Sequence, residues 1–168
     1  NIDYFTSLKL GSGYRMPTEA LAGRDLMNLP DEWLFKLDPD KKGENEKWYA
    51  SAADLSSYKP ISVLKNWEPQ GYQYDGLAWY VVDVTIPETK DKRVWLLFGA
   101  VDDSWTLWID GKYIDKSTAD PGIAWDKPAA VDITGKYTPG KKTRIAVRVG
   151  DVAGAGGIWR SVKIVTSD

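Results

Sequence analysis

From Leu77 onward apolar and polar residues alternate with a period of two, and turn residues interrupt the alternation about every 8 to 12 positions. Side chains on a strand point to opposite faces in turn, so this pattern predicts strands with one face in a core. The segments are Leu77 to Ile86, ended by Pro87, then Arg93 to Phe98, Trp105 to Ile109, Lys112 to Ile114, Ala129 to Ile133, Thr143 to Val149 and Ile158 to Val165. Asp110-Gly111 between two of them predicts a type I′ hairpin, because both central positions need positive φ. Pro139-Gly140 marks another turn.

The first half is less regular. Glu32 to Leu37 reads as a strand closed by Asp38-Pro39, and Ile61 to Leu64 as a short one whose approach is kept extended because Lys59 precedes Pro60. Asp40 to Lys47 is a charged excursion, read as a solvated loop, and Asp54 to Tyr58 as a helical turn capped by Asp54. Residues 1–30 hold few signals and are taken as an extended N-terminal arm with room for an edge strand. Residues 31–168 then form one all-β antiparallel sandwich.

Composition narrows the chemistry. The 168 residues include nine Trp, nine Tyr and three Phe but no His and no Cys. Ser-His-Asp and Cys-His nucleophiles, imidazole or thiolate metal sites, His-ligated haem and disulfides are therefore excluded. Carboxylate, Lys, Tyr and Arg chemistry remain, as does plain binding, and no cofactor is expected. With 22 basic against 24 acidic residues the formal charge is -2, no footprint for nucleic acid or an anionic membrane. No stretch reaches 18 apolar residues, and Asn1 to Leu10 does not read as a signal peptide. Export stays open on composition, since a chain without Cys can still be secreted.

The runs Asn66-Trp67-Glu68, Tyr74-Asp75-Gly76-Leu77-Ala78-Trp79-Tyr80 and Val94 to Ser104 come in that order, followed by Trp108-Ile109-Asp110-Gly111-Lys112, Val131-Asp132-Ile133-Thr134 and Gly156-Gly157-Ile158-Trp159-Arg160. As a set they resemble the N-terminal sugar-binding domain of family 2 glycoside hydrolases, over about residues 31–165. The resemblance implies a jelly-roll sandwich of the galactose-binding type, serving as a carbohydrate-binding module or as an accessory domain beside a hydrolase active site. The family's catalytic barrel has no counterpart in these motifs, so no hydrolysis is expected. Two departures concern the ligand. Asp110 stands where the family's hairpin has Asn, and the family's Gly-Gly-Tyr-x-Pro-Phe loop is only echoed by Gly122-Ile123-Ala124-Trp125-Asp126-Lys127-Pro128.

Antiparallel strands run alternately up and down, so successive loops fall at alternate ends of a sandwich. Counting from Leu77 puts Gly71 to Gly76, Gly99 to Asp103, Lys116 to Pro128 and Gly150 to Gly157 at one end, here the near end. The far end carries tight turns and lysines. The near end gathers Tyr72, Tyr74, Asp75, Asp102, Asp103, Trp125, Asp126 and Asp151. That mixture suits a neutral poly- or oligosaccharide, because rings cover the apolar face of a pyranose while carboxylates accept from its hydroxyls.

Candidate ligand residues are Trp125, Asp75, Asp151, Tyr74, Tyr72, Asp126, Asp103 and Trp105. Trp125, in a Pro- and Gly-containing loop, is either a stacking platform or a loop anchor. Asp75 and Asp151 fall, by the family motifs, where such domains reach polar residues toward sugar; alternatively each caps its own turn. Asp102-Asp103 can order its loop, Arg160 can brace the loop below it, and Trp105 fits either role. Trp79, Trp95, Trp108 and Trp159 read as core, and Trp33, Trp48 and Trp67 as structural. Gly150 to Gly157 has no Lys-Ser/Thr and opens no helix, so it is not a phosphate loop. A calcium ion is chemically compatible with the Asp residues, although no EF-hand spacing is present.

The leading expectation is a non-catalytic carbohydrate-binding domain, secreted or at the cell surface, working with other domains of a larger chain. The rivals are a structural accessory domain packed on a hydrolase barrel, a protein-adhesion sandwich, and a stand-alone glycosidase using Asp75 and Asp151.

Overall fold

The computed structural model describes residues 13–168. Residues 1–12 of the expected arm lie outside the described residues. The rest of that segment forms a one-turn helix, α1 (Thr18–Leu21), and strand β1 (Arg24–Asn28). There follow β2 (Glu32–Asp38), β3 (Lys59–Ser62), β4 (Gly76–Thr85), β5 (Arg93–Asp102), β6 (Ser104–Ile109), β7 (Lys112–Lys116), the one-turn α2 (Pro121–Ala124), β8 (Ala129–Asp132), β9 (Lys142–Asp151) and β10 (Gly157–Ser167). Two sheets, each antiparallel throughout, form a jelly-roll sandwich: a four-stranded one in the order β1-β10-β5-β8 and a six-stranded one in the order β3-β2-β4-β9-β6-β7. Among the described residues no helix is long and apolar enough to cross a membrane.

Alternation places the core. Ala78, Tyr80, Val82 and Val84 of β4 face Leu96 and Phe98 of β5 and Val162 and Ile164 of β10 between the sheets, all buried. Phe35 sits at the aromatic centre, with its ring centroid 4.9 Å from those of Tyr80 and Tyr72. Burying such rings supplies most of the drive to fold, since each removes a large apolar area from water. The β6-β7 hairpin turns through Asp110 at φ 48° and Gly111 at φ 82°, as the type I′ reading requires.

Trp79 and Trp108 are core, as expected, in a second cluster on the outer face of the six-stranded sheet, whereas the readings of Trp95, Trp159 and the turn at Asp54 need correction. The segment after β2 covers Trp79 and Trp108. Asp38 is buried at the end of β2 and its carboxylate accepts from the Trp79 indole at 3.0 Å and from the amides of Lys42 and Gly43 at 2.8 and 2.9 Å. That grip turns the charged excursion back over the sheet, and the Tyr49 ring stacks on Trp108 at 4.9 Å. The charged side chains do stay exposed, so the loop is solvated outside and a cover inside. Trp95 and Trp159, in contrast, lie on the outer face of the four-stranded sheet and are only half-buried, because alternation says which residues share a face but not which face is covered. Asp54 to Tyr58 is a plain turn and not helix: the Ser56 amide donates to the Asp54 carboxylate at 3.0 Å.

Candidate functional site

Strand pairing assembles the near end. Gly76, which opens β4, pairs with Asp151, which closes β9; Ser104 pairs with Gly150; Gly157, which opens β10, pairs with Asp102, which closes β5. Residues 99–102, read as loop, are thus the end of β5, and the chain reverses at Asp103. The strand count correctly brings Gly71 to Gly76, Asp102-Asp103 and Gly150 to Gly157 to one end.

Trp67 holds these pieces together. Its ring is fully buried, its indole donates to the Tyr74 carbonyl at 3.0 Å, and its own amide donates to the Gly156 carbonyl at 2.9 Å. The glycine loop lies directly on the ring: a Cβ at Gly156 would stand 2.5 Å from a Trp67 ring carbon, and one at Gly157, where φ is 110°, would stand 2.3 Å from the Tyr80 hydroxyl. Only glycine permits that approach.

Five carboxylates converge on this frame. One oxygen from each of Glu68, Asp75 and Asp151 lies within 4.8 Å of the other two, and the same is true of Asp102, Asp103 and Asp151. Asp151 belongs to both groups and is 3% exposed, whereas Asp75 is exposed at the mouth. The amide of Ala153 donates to Asp151 Oδ1 at 3.2 Å, that of Val152 to Asp103 Oδ2 at 3.3 Å, and that of Gly156 to Glu68 Oε2 at 3.0 Å. Asp151 Oδ2 and Glu68 Oε1 are buried without a hydrogen-bond partner. None of the five forms an ion pair with a Lys or Arg among the described residues.

Burial and mutual repulsion push protons onto this cluster. Asp102 is pushed up to about 8, first by desolvation and then by its hydrogen bond to Asp103 and the nearby charges of Asp103, Asp151 and Glu68. Asp151 is pushed up to about 7 by desolvation, then by its hydrogen bond with Asp103 and the charges of Asp103 and Asp75. Because these folded values lie above the ordinary value near 4, the folded state binds more protons than the unfolded chain between about pH 4 and about pH 8, and stability falls as pH rises through that window. In buffer with chelator, the melting temperature is expected to decline from pH 5 to pH 8.5, and Asp102→Asn to flatten the decline. A melting temperature that rises over this range, or an undiminished slope in the variant, contradicts this electrostatic picture.

The remaining sequence candidates divide. Tyr74 stands beside the cluster, but its hydroxyl donates to the Leu77 carbonyl at 2.8 Å, and Tyr72 packs edge-on against Phe35. Trp105 is 8% exposed and packs on Phe98 at 5.4 Å; it also lines a groove of about 540 Å³ between residues 13–20 and 115–130. Trp125 and Asp126 lie apart, on the outer flank of the four-stranded sheet. Trp125 is 42% exposed, its ring stacks on Trp159 at 6.0 Å, and its carbonyl accepts from the Trp159 indole. Asp126 pairs with Lys127 at 3.0 Å, and Arg160 donates to its carbonyl at 3.1 Å, so Arg160 braces this loop. Glu68 was not among the sequence candidates. Its only signal was membership of the Asn66-Trp67-Glu68 run.

No family model matches the chain. It is 26% identical to a β-glucuronidase of Paenibacillus borealis over 133 residues, covering 77% of this chain and 22% of that protein. It is 25% identical to a β-galactosidase of Priestia megaterium, covering 73% of this chain and 14% of that one. The chain resembles one segment of the family 2 glycoside hydrolases. The fold agrees: the β-glucuronidase of Ruminococcus gnavus, in its apo form, superposes with a TM-score of 0.74 at 20% identity, over 87% of this chain and 29% of that one. Its complex with D-glucuronic acid matches with the same score and identity. The chain thus spans about a fifth or less of the length of the curated relatives it matches.

Proposed function

We propose that the chain is a non-catalytic carbohydrate-binding domain of a polysaccharide-active protein, and that its near end takes a neutral glycan. The observation that carries this reading is the meeting of Asp75, Asp103, Asp151 and Glu68 at one end of the sandwich, with the Asp75 carboxylate exposed at its mouth. An exposed carboxylate accepts from sugar hydroxyls, and charged acceptors make the stronger hydrogen bonds. Carboxylates with no cation in the cluster disfavour a uronate, which supports a neutral ligand. The half-buried Tyr74 ring beside the cluster offers apolar surface for a sugar face. About 80 Å² of such surface at about 25 cal/mol per Å² contributes about 2 kcal/mol per stacked ring. After association costs, this corresponds to dissociation constants of about 10 μM to 1 mM.

A glycosidase role for the same carboxylates is disfavoured by burial. Asp151 is 3% exposed, whereas the two carboxylates of a glycosidase flank a scissile bond that must reach both of them. The small share of each relative that the chain covers supports work beside a catalytic domain. It equally favours the rival reading of an accessory domain that packs on a hydrolase barrel and binds nothing alone. A polysaccharide partner implies a task outside the cell or on its surface.

The isolated chain on a glycan array separates these readings. The expected result is retention of a neutral oligosaccharide, no turnover of aryl glycosides, and an affinity that changes less than about twofold between about 50 and about 500 mM salt, because no ion pair with the ligand is involved. A blank array supports the packing role instead. A steep fall with salt points to an anionic ligand and overturns the near-end assignment.

A further inference from the structure

We infer that Glu68, Asp75 and Asp151 form a binding site for a divalent cation, calcium by its chemistry. The inference is independent of whether a glycan binds. Asp151 is set in place by its pairing with Gly76, one residue from Asp75, and Glu68 by the Gly156 amide on its Oε2, 88 residues away in sequence. The two remaining oxygens, Asp151 Oδ2 and Glu68 Oε1, are both buried and both lack a donor. Asp151 is 3% exposed, and its free oxygen points over Gly156, whose missing side chain keeps the space open: a Cβ there would stand 2.7 Å from Asp151 Oδ2.

Two buried carboxylate oxygens without a donor in one cluster need a positive charge or a proton close by. A hydrogen bond from a neighbour would serve, but the nearest amides are already committed to Oδ1 of Asp151 and Oε2 of Glu68. A cation fits the spacing. Ligand oxygens at about 2.4 Å from one ion lie no more than about 4.8 Å from each other, which all three carboxylates satisfy. The donors are all hard oxygens, with no imidazole or thiolate anywhere in the sequence, so a soft transition metal is not selected. Calcium suits the site better than magnesium because it accepts six to eight oxygens in irregular geometry, and the exposed Asp75 side leaves room for carbonyl and water ligands. Such an ion would also tie the paired ends of β4 and β9 to the turn at Glu68.

The test is calorimetric titration of the chelator-stripped protein with calcium chloride, with melting temperature read in parallel. Expected are saturable heat at about one ion per chain and a melting temperature that rises with the logarithm of calcium concentration, as linkage requires, with a smaller response to magnesium chloride. Asp151→Asn keeps the shape of the side chain and removes the charge; both the heat and the shift should be lost. Asp75→Ala provides a second arm, since that side chain is exposed and holds no strand in place, and it should weaken calcium at least tenfold while leaving the chelated protein's melting temperature unchanged. Absence of calcium heat in the parent protein overturns the inference. So does calcium binding of equal strength in both variants, because the ion then sits elsewhere. Neither outcome bears on glycan retention, which is read in chelator on the array.

Discussion

Trp67→Ala is expected to destabilise the chain by about 3 to 5 kcal/mol, the range for removing a large aromatic from a core. Trp67 is fully buried, and its ring meets Phe35 at 5.7 Å and Tyr74 at 6.0 Å. Truncation leaves a cavity under Gly156 and Gly157, which cannot collapse into it without breaking the close approach that fixes the glycine loop. It also leaves the Tyr74 carbonyl without its indole donor. Since domains of this size are stable by only about 5 to 15 kcal/mol in all, the variant should approach the threshold of folding. Urea unfolding followed by circular dichroism measures the loss. Trp125→Ala is the matching control, because a ring 42% exposed on the flank leaves little cavity behind. If Trp67→Ala costs less than about 1 kcal/mol, Trp67 is not the post on which the near end is built, and the convergence of the carboxylates has another cause.

Much of the fold was legible in the sequence because many of its strands alternate between a core face and a more exposed one. Where one face is core and the other is not, alternation marks both the strand and its inward residues. Every strand read from Leu77 onward is present, with ends moved by a few residues, as at β5, which continues from Phe98 to Asp102. The Asp110-Gly111 turn was legible for a local reason, since its dihedrals are set by the two residues themselves.

What was not legible depends on tertiary approach. The cover over Trp79 and Trp108 exists because Asp38 collects three donors, two of which lie four and five residues ahead and the third 41 away. No periodicity encodes that. Trp95 and Trp159 have the same alternating neighbourhood as Trp79, yet no segment folds fully over them, so they remain half-buried. Glu68 is the sharpest case. It faces Asp151 only because the Gly156 amide captures one of its oxygens, and a carboxylate on a short 3-10 turn has no pattern that announces burial. The candidate site was legible as an end of the molecule rather than as a set of partners: Asp75, Asp103 and Asp151 do meet, while Trp125 and Asp126 stand on the flank.

The central claim is that the near end, and not the flank, holds a neutral sugar. Asp75→Ala tests it with a large effect and little structural risk, since Asp75 is exposed and holds no strand in place. A charge-assisted hydrogen bond to ligand is worth about 1.5 to 3 kcal/mol, which is about 10-fold to 150-fold in affinity. The decisive measurement is calorimetric titration of the best array glycan into the parent chain, Asp75→Ala and Trp125→Ala, in one chelator-containing buffer with the melting temperature of each recorded. The account predicts that Asp75→Ala loses at least tenfold in affinity at unchanged melting temperature, and that Trp125→Ala loses less. Full binding by Asp75→Ala together with loss in Trp125→Ala would contradict it and move the site to the Trp125 and Trp159 flank.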